Sequence, residues 1–339
     1  MADFYDISSW TFREWETTLK GTRPQNIVEH PTTSDAYYFK QSKFEYPSEI
    51  WSEIIASKLG QQIGINTLDY NIALFEGTLG CLSKSMVNNN LSMLYHGVDV
   101  LNDFLPEFSI TDKPIVSFQQ IEKICELGLF DNFLDKFIEM IIFDTIIGNM
   151  DRHTENWAFI INIILKLKDH KLKPKFDLWG TVKNFVKDPL NPIQSSKITA
   201  NLSIEATGTK YSFSPVYDNG SCLAREKTEQ EVQNLLRDKV RFNAYLNRGK
   251  HEIRWNNEKL NFFDLCKKIQ DKHHKTVQEI VSKILSRLTN ENVSELVNGI
   301  DRNLVGKVEN TYLTLERKEL IVTLIVIRLQ RLKEILKID

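Results

Sequence analysis

Cysteine is too sparse here to organise the fold. Four are present in 339 residues (Cys81, Cys125, Cys222 and Cys266), far apart and with no CxxC pair. Zinc and disulfide frameworks are therefore not expected, and a reducing cytosol is the simplest setting. Positive charge is not in surplus either: 43 Lys and Arg face 45 Asp and Glu, a net charge of −2. No global basic field exists to hold a phosphate backbone, so direct nucleic acid binding is not expected. The opening MADFYDISSW has no basic stretch followed by an apolar one, so no signal peptide is expected and the cytoplasm is the expected location. Charged residues interrupt every apolar run well short of the roughly 18 residues a membrane span requires. Internal repeats and low-complexity tracts are also missing. What is present, 42% hydrophobic and 26% charged residues, suits a soluble globular chain with a real core, as one large two-lobed domain or two modest ones.

The first part reads as strands around one helix. Ile27–His30 and Ala36–Gln41 are short apolar or aromatic runs split by the turn-rich Pro31-Thr32-Thr33-Ser34-Asp35. Pro47-Ser48-Glu49 opens a helical pattern in which Ile50, Trp51, Ile54, Ile55, Leu59 and Ile63 form a wide apolar stripe, weakened at its end by Gly60 and Gly64. Asp69–Phe75 and Thr78–Val87 then read as strands joined by a turn at Glu76-Gly77. After Asn88-Asn89-Asn90 the pattern becomes mostly helical. Its clearest segment is Phe130–Thr145, apolar at helical spacing and stopped at Gly148-Asn149. Trp157–Leu165 reads as a strand, and residues 166–210 as irregular and lysine-rich. A strand-like run then leads into Val216-Tyr217-Asp218. Glu226–Leu246, Phe262–Ile269, Val277–Leu288 and Leu315–Leu336 read as helices.

The chemistry concentrates just beyond the long helix, in Gly148-Asn149-Met150-Asp151-Arg152-His153-Thr154-Glu155-Asn156-Trp157. Phosphoryl transfer needs a carboxylate to orient and deprotonate an attacking hydroxyl, and oxygen ligands to hold Mg²⁺ against the phosphates. An Asp followed five residues later by an Asn supplies both from one loop: Asp151 as base and Asn156 as metal ligand. A second ligand is expected downstream after a strand, where Pro215-Val216-Tyr217-Asp218-Asn219-Gly220-Ser221 offers Asp218. Asn219-Gly220 would take the positive φ values of a sharp turn beside a metal. His153 stands within the loop, to order it or to handle a proton.

Asp151-Arg152-His153-x-x-Asn156, preceded by Gly148-Asn149 and followed by Trp157, resembles the catalytic loop of HipA-like serine/threonine kinases, and Pro215–Asp218 that family's metal-binding segment. The resemblance extends over most of the chain. Lys20–Gln25 resembles the phosphate-covering loop, with Gly21 allowing close backbone approach. Tyr37-Tyr38-Phe39-Lys40 resembles the strand presenting the ATP lysine. Ser52-Glu53 begins a run resembling the helix whose glutamate pairs with it, and Glu53 lies at the edge of the apolar stripe, from where it would reach inward to Lys40. Ile253-Arg254-Trp255 and Leu260–Leu265 also resemble a family segment, with no chemistry assigned. The chain departs from the wider kinase pattern in lacking a full GxGxxG, in having Asn219 where ordinary protein kinases have Phe, and in the about 60 residues between Asn156 and Asp218, long for this link.

The resemblance implies an α+β, two-lobed protein-kinase-like fold, with a β-rich N-lobe (residues 1–88) and a helical C-lobe (residues 89–339) carrying an insertion at about 166–210. It implies ATP and Mg²⁺ as cofactors, with Gly21, Thr22, Lys40 and Glu53 on the nucleotide side and Asn156 and Asp218 on the metal. The implied substrate is a protein Ser or Thr. The implied partner is an antitoxin-like or regulatory protein, the role that of a toxin or host-directed effector, and autophosphorylation near the phosphate loop is implied, with Thr22 read as a self-inhibiting site and Thr17, Thr18 and Ser9 also nearby. Phosphatidylinositol 3- and 4-kinases carry a similar Asp-Arg-His-x-x-Asn run and remain an alternative, as does a nucleotide-binding module without turnover. Lys166, Lys168, Lys171, Lys173 and Lys175 form a basic cluster, read as a solvated face or as a surface for an acidic partner.

Overall fold

A computed structural model describes residues 2–13, 26–87, 91–105, 115–128, 132–167, 204–304, 307 and 313–338. Gly21, Thr22 and most of the expected insertion, with Lys168, Lys171, Lys173 and Lys175, lie outside these. The N-terminal region is a six-stranded sheet in the order β1-β5-β6-β4-β3-β2. Its strands are β1 (Phe4–Asp6), β2 (Thr11–Arg13), β3 (Asn26–Glu29), β4 (Ala36–Gln41), β5 (Tyr70–Phe75) and β6 (Thr78–Lys84). All neighbours are antiparallel except β1 and β5. Alternation of side chains across a strand sends Phe39 of β4 into an outer cluster with Ile7, Trp10, Val28, Ala73 and Leu82, and turns Lys40 to the opposite face.

That opposite face is covered by α1 (Glu49–Ile63), of whose fifteen residues twelve are buried. The predicted stripe is present, but Glu49, Ser52, Glu53 and Ser57 are buried as well. Ser57 satisfies its hydroxyl at the chain entering β5, donating to Leu68 O at 2.7 Å and accepting from Tyr70 N–H at 3.0 Å.

The rest is mainly helical: α2 (Gly97–Phe104), α3 (Phe118–Glu126), α4 (Phe133–Ile147), α5 (Glu229–Arg237), α6 (Lys239–Arg248), α7 (Phe262–Lys272), α8 (His274–Leu285), α9 (Asn290–Gly299) and α10 (Leu315–Leu336). A second sheet, ordered β7-β8-β9, joins β7 (Ser92–His96), β8 (Ala158–Leu167) and β9 (Ile204–Phe213). One continuous apolar core runs from Ile54 and Leu59 of α1 through Phe137 and Ile141 of α4 to Ile321 and Ile325 of α10. No described helix is long and apolar enough to cross a membrane.

Three expectations need correction. The single helix expected over Glu226–Leu246 is two helices, because Asp238 ends α5 and caps α6, its side chain accepting from Val240 and Arg241 N–H. Part of the expected irregular stretch is strand: β9 begins at Ile204 and pairs with β8 along its length. The polar run Thr207-Gly208-Thr209-Lys210 hid its strand character. The start of the helical region also opens on a strand, β7, which pairs with β8.

Candidate functional site

The site begins where α4 stops. Gly148 has φ 72, a left-handed cap that glycine adopts without penalty. A Cβ there would lie 2.3 Å from the Arg328 guanidinium, whose Nη1 donates to Ile147 O at 2.9 Å. The chain turns at this cap into the loop that leads to β8.

Arg152 anchors that loop. Fully buried, it donates to both carboxylate oxygens of Asp144 at 2.9 and 2.8 Å, to Asn156 O at 2.7 Å, to Tyr217 O at 2.6 Å and to Asn219 Oδ1 at 2.5 Å. One guanidinium thus joins α4, the loop and the Tyr217–Asn219 segment. Asp144, on α4, also receives Asn149 Nδ2 at 3.2 Å and His251 Nε2 at 3.2 Å. His251 Nδ1 accepts from Ile253 N–H, so the ring proton lies on Nε2, facing the carboxylate. Burial pushes the Asp144 carboxyl up, but Arg152 outweighs it and holds the group below the usual carboxylate range.

Within the loop, Asn156 Nδ2 donates to Asp151 O at 2.7 Å, which leaves Asn156 Oδ1 as its oxygen for a cation. Asp151 Oδ2 accepts from Ser221 Oγ at 3.1 Å. His153 is 40% exposed, and its Nδ1 accepts from Glu155 N–H at 3.3 Å. His153 thus holds one turn of the loop from its rim, and Arg152 ties the loop to the rest of the fold.

Asp218 is brought to Lys40 from 178 positions away, with Lys40 Nζ donating to Asp218 Oδ1 at 2.6 Å. Asp218 itself has φ 52, and Leu223 and Ala224 have φ 53 and 60. The sharp turn expected at Asn219-Gly220 is therefore carried by these residues instead. Gly220 serves close packing: a Cβ would meet Glu49 Cγ at 2.9 Å and Glu53 Oε2 at 3.1 Å. Lys40 Nζ lies 3.9 Å from Glu49 Oε1 and 4.0 Å from Glu53 Oε1. Burial opposes the charge on Lys40, yet Asp218, Glu53 and Glu49 outweigh it and raise its pKa. Burial pushes the Glu53 carboxyl up to about 7; Lys40 and the Tyr70 hydroxyl only partly offset burial and the neighbouring Asp218 and Glu49 charges.

No protein-family model matches this sequence, and no curated protein matches it. Among solved structures, the Helicobacter pylori proinflammatory kinase CtkA superposes with a TM-score of 0.69 at 15% identity, covering 98% of this chain and 96% of that one. The fold is that of the CtkA kinase. HipA of Shewanella oneidensis MR-1, from a toxin–antitoxin complex with HipB and operator DNA, aligns with a TM-score of 0.48 at 10% identity, over 96% of this chain and 68% of that one.

Within this kinase fold, no described group of three or more His, Cys, Asp or Glu is arranged to hold a metal. Asp218 and Asn156 instead offer a hard carboxylate and an amide oxygen, the donor types suited to a cation that takes its remaining oxygens from phosphates and water. Glu49, Asp144, His251, Ser221 and Arg225 were missed as parts of the site, and Arg152 was noted only as a letter of a motif. Two of these had a legible signal. Asp144 interrupts an apolar helix, and Glu49 precedes Glu53 by one turn, on the same helix face.

Proposed function

We propose that this protein is an ATP- and Mg²⁺-dependent protein kinase that transfers phosphate to a Ser or Thr hydroxyl. The observation that carries the reading is the convergence of Lys40, Glu53 and Asp218, from β4, α1 and the segment after β9, on one point where Lys40 and Glu53 are buried and Asp218 is partly exposed. Three carboxylates (Glu49, Glu53 and Asp218) face one amine there, with Arg225 3.4 Å from Glu49. That surplus of anionic oxygen suits a divalent cation, as does the donor chemistry of Asp218 and Asn156.

In this reading Asp218 and Asn156 hold Mg²⁺, which when bound neutralises charge on the phosphates. Lys40 exchanges its contact with Asp218 for a phosphate oxygen and is kept in place by the glutamates of α1. Asp151 accepts the hydroxyl proton of the substrate, on a loop fixed by Arg152. The sheet region to about residue 88 serves as the nucleotide-covering lobe, with Gly21 and Thr22 in its phosphate loop. His153 has a supporting place at the rim. A restraining, antitoxin-like partner is what the sequence resemblance implies.

The test is incubation of the pure protein with γ-labelled ATP and Mg²⁺, alone, with cell lysate and with phosphatidylinositol vesicles. Label on Ser or Thr of protein is expected. Label on lipid alone would move the assignment to a lipid kinase, and ATP binding with no transfer would leave a nucleotide-binding module.

A further inference from the structure

We propose that Arg225 is a positioning residue which, anchored on Glu49 of α1, orients the Asp151 carboxylate through the Ser221 hydroxyl; the inference rests on the phosphotransfer reading above. The Arg225 guanidinium is mostly buried, at 14% side-chain exposure. It lies over the Tyr46 ring, 4.3 Å from its centroid. Nη1 stands 3.4 Å from Glu49 Oε2, and Nη2 donates to Ser221 Oγ at 2.8 Å. Ser221 Oγ in turn donates to Asp151 Oδ2 at 3.1 Å.

The direction of this chain follows from its ends. A guanidinium has only donors, and an ionised carboxylate only accepts, so the single hydroxyl proton of Ser221 must point at Asp151. Hydrogen bonds in series polarise one another, so the arginine's charge is felt at the carboxylate. Asp151 Oδ2 is thereby occupied, and Oδ1 is left for the incoming hydroxyl. Rotation of the carboxylate about its bond to Cβ, which would spoil that aim, breaks the Ser221 contact.

The backbone that delivers Arg225 is bent at a cost. Leu223 and Ala224 both occupy the left-handed region, costly for residues with a Cβ and kept only where the surroundings enforce it. Three contacts do so: Leu223 N–H donates to Ile147 O at 3.1 Å, Ser52 Oγ to Cys222 O at 3.0 Å and Arg317 Nη1 to Ala224 O at 3.2 Å. The bend returns the chain toward α1, where Glu49 lies close to both Arg225 and Lys40. One glutamate thus registers the base against the lysine.

The test uses the full chain and measures the phosphotransfer rate at saturating Mg²⁺-ATP, the KM for ATP, and the melting temperature. Ser221→Ala and Arg225→Gln are each expected to slow the saturated rate about tenfold or more with little change in KM, as loss of a hydrogen bond to a charged group predicts. Ser221→Thr keeps the hydroxyl and is expected to restore most of the rate. The double variant should be no slower than the slower single one, since both remove the same chain. A purely structural role for Arg225 would lower the melting temperature and leave Ser221→Ala at the wild-type rate, which would overturn the inference. Additive losses in the double variant would overturn it too. Should Arg225→Gln fail to fold, the Ser221 pair decides alone. Absence of transfer by the wild type would remove the kinase reading and this inference with it; normal transfer by both wild type and Ser221→Ala removes only the inference.

Discussion

Replacing Arg152 by alanine should be among the most destabilising single changes in the chain. The guanidinium makes five hydrogen bonds to four residues, and it neutralises Asp144, which is fully buried. Removing one partner of a buried ion pair leaves an uncompensated charge and costs about 3–5 kcal/mol. Total stabilities are usually about 5–15 kcal/mol, so a large part of the margin would go. Urea unfolding is the assay: a lower midpoint with an unchanged slope is expected. The pH dependence gives a second check. The folded pKa of Asp144 is depressed below its ordinary value of 3.8, so its contribution is complete above that value and is lost as pH falls through the lower folded one. Without Arg152, Asp144 takes up its proton at higher pH, and the gap between variant and wild type should narrow in acid. A loss below about 1 kcal/mol, the size of one ordinary hydrogen bond, or a gap that widened in acid, would refute the reasoning.

Asp151→Asn and Asp218→Asn should each abolish phosphotransfer without altering the melting temperature much, and calorimetry should find Mg²⁺-ATP binding weakened more by the second; full activity in either removes the kinase assignment. Glu53 titrates near 7 when folded against 4.5 ordinarily, so the folded chain holds its proton longer and loses stability as pH rises. Wild type should lose roughly 2–3 kcal/mol between pH 5 and 8 through this group, and Glu53→Gln should lose none of it; parallel pH profiles would contradict this. Gly220→Ala would force a methyl against Glu49 and Glu53. Overpacking of about 1–3 kcal/mol and weaker ATP binding are expected, and unchanged nucleotide affinity would show that the glutamates are free to shift.

Residues with local signals were legible. The helix over Leu315–Leu336 and the strand Ala36–Gln41 have the bounds their periodicity indicates. The convergence of Lys40, Glu53 and Asp218 matches the order of motifs along the chain. The structure also brings Ser221 to Asp151. What escaped depends on long-range pairing. β7 and β9 become strands by hydrogen bonding to β8, and neither shows a strong alternation of its own. His251 carries no local signal, because its partner, Asp144, is 107 residues away. Residue preference places the sharp turn beside the proposed metal site at Asn219-Gly220. Tertiary contacts instead place the strained backbone on Asp218, Leu223 and Ala224, as packing can override local preference.

The helix that holds the glutamates is part of the large core. Its last carbonyls are bonded from the helical region, Gly64 O by Lys283 at 2.9 Å and Ile63 O by Arg287 at 3.3 Å. Swinging α1 outward would open the shared core around Ile54 and Leu59, a much larger loss than one ion pair. On the proposed phosphotransfer reading, product release would therefore call for a different hinge. Strands β3 and β4 carry a small cluster of their own around Phe39 and Val28, so on the proposed phosphotransfer reading a tilt of these strands, rather than displacement of α1, is the movement expected to let nucleotide leave.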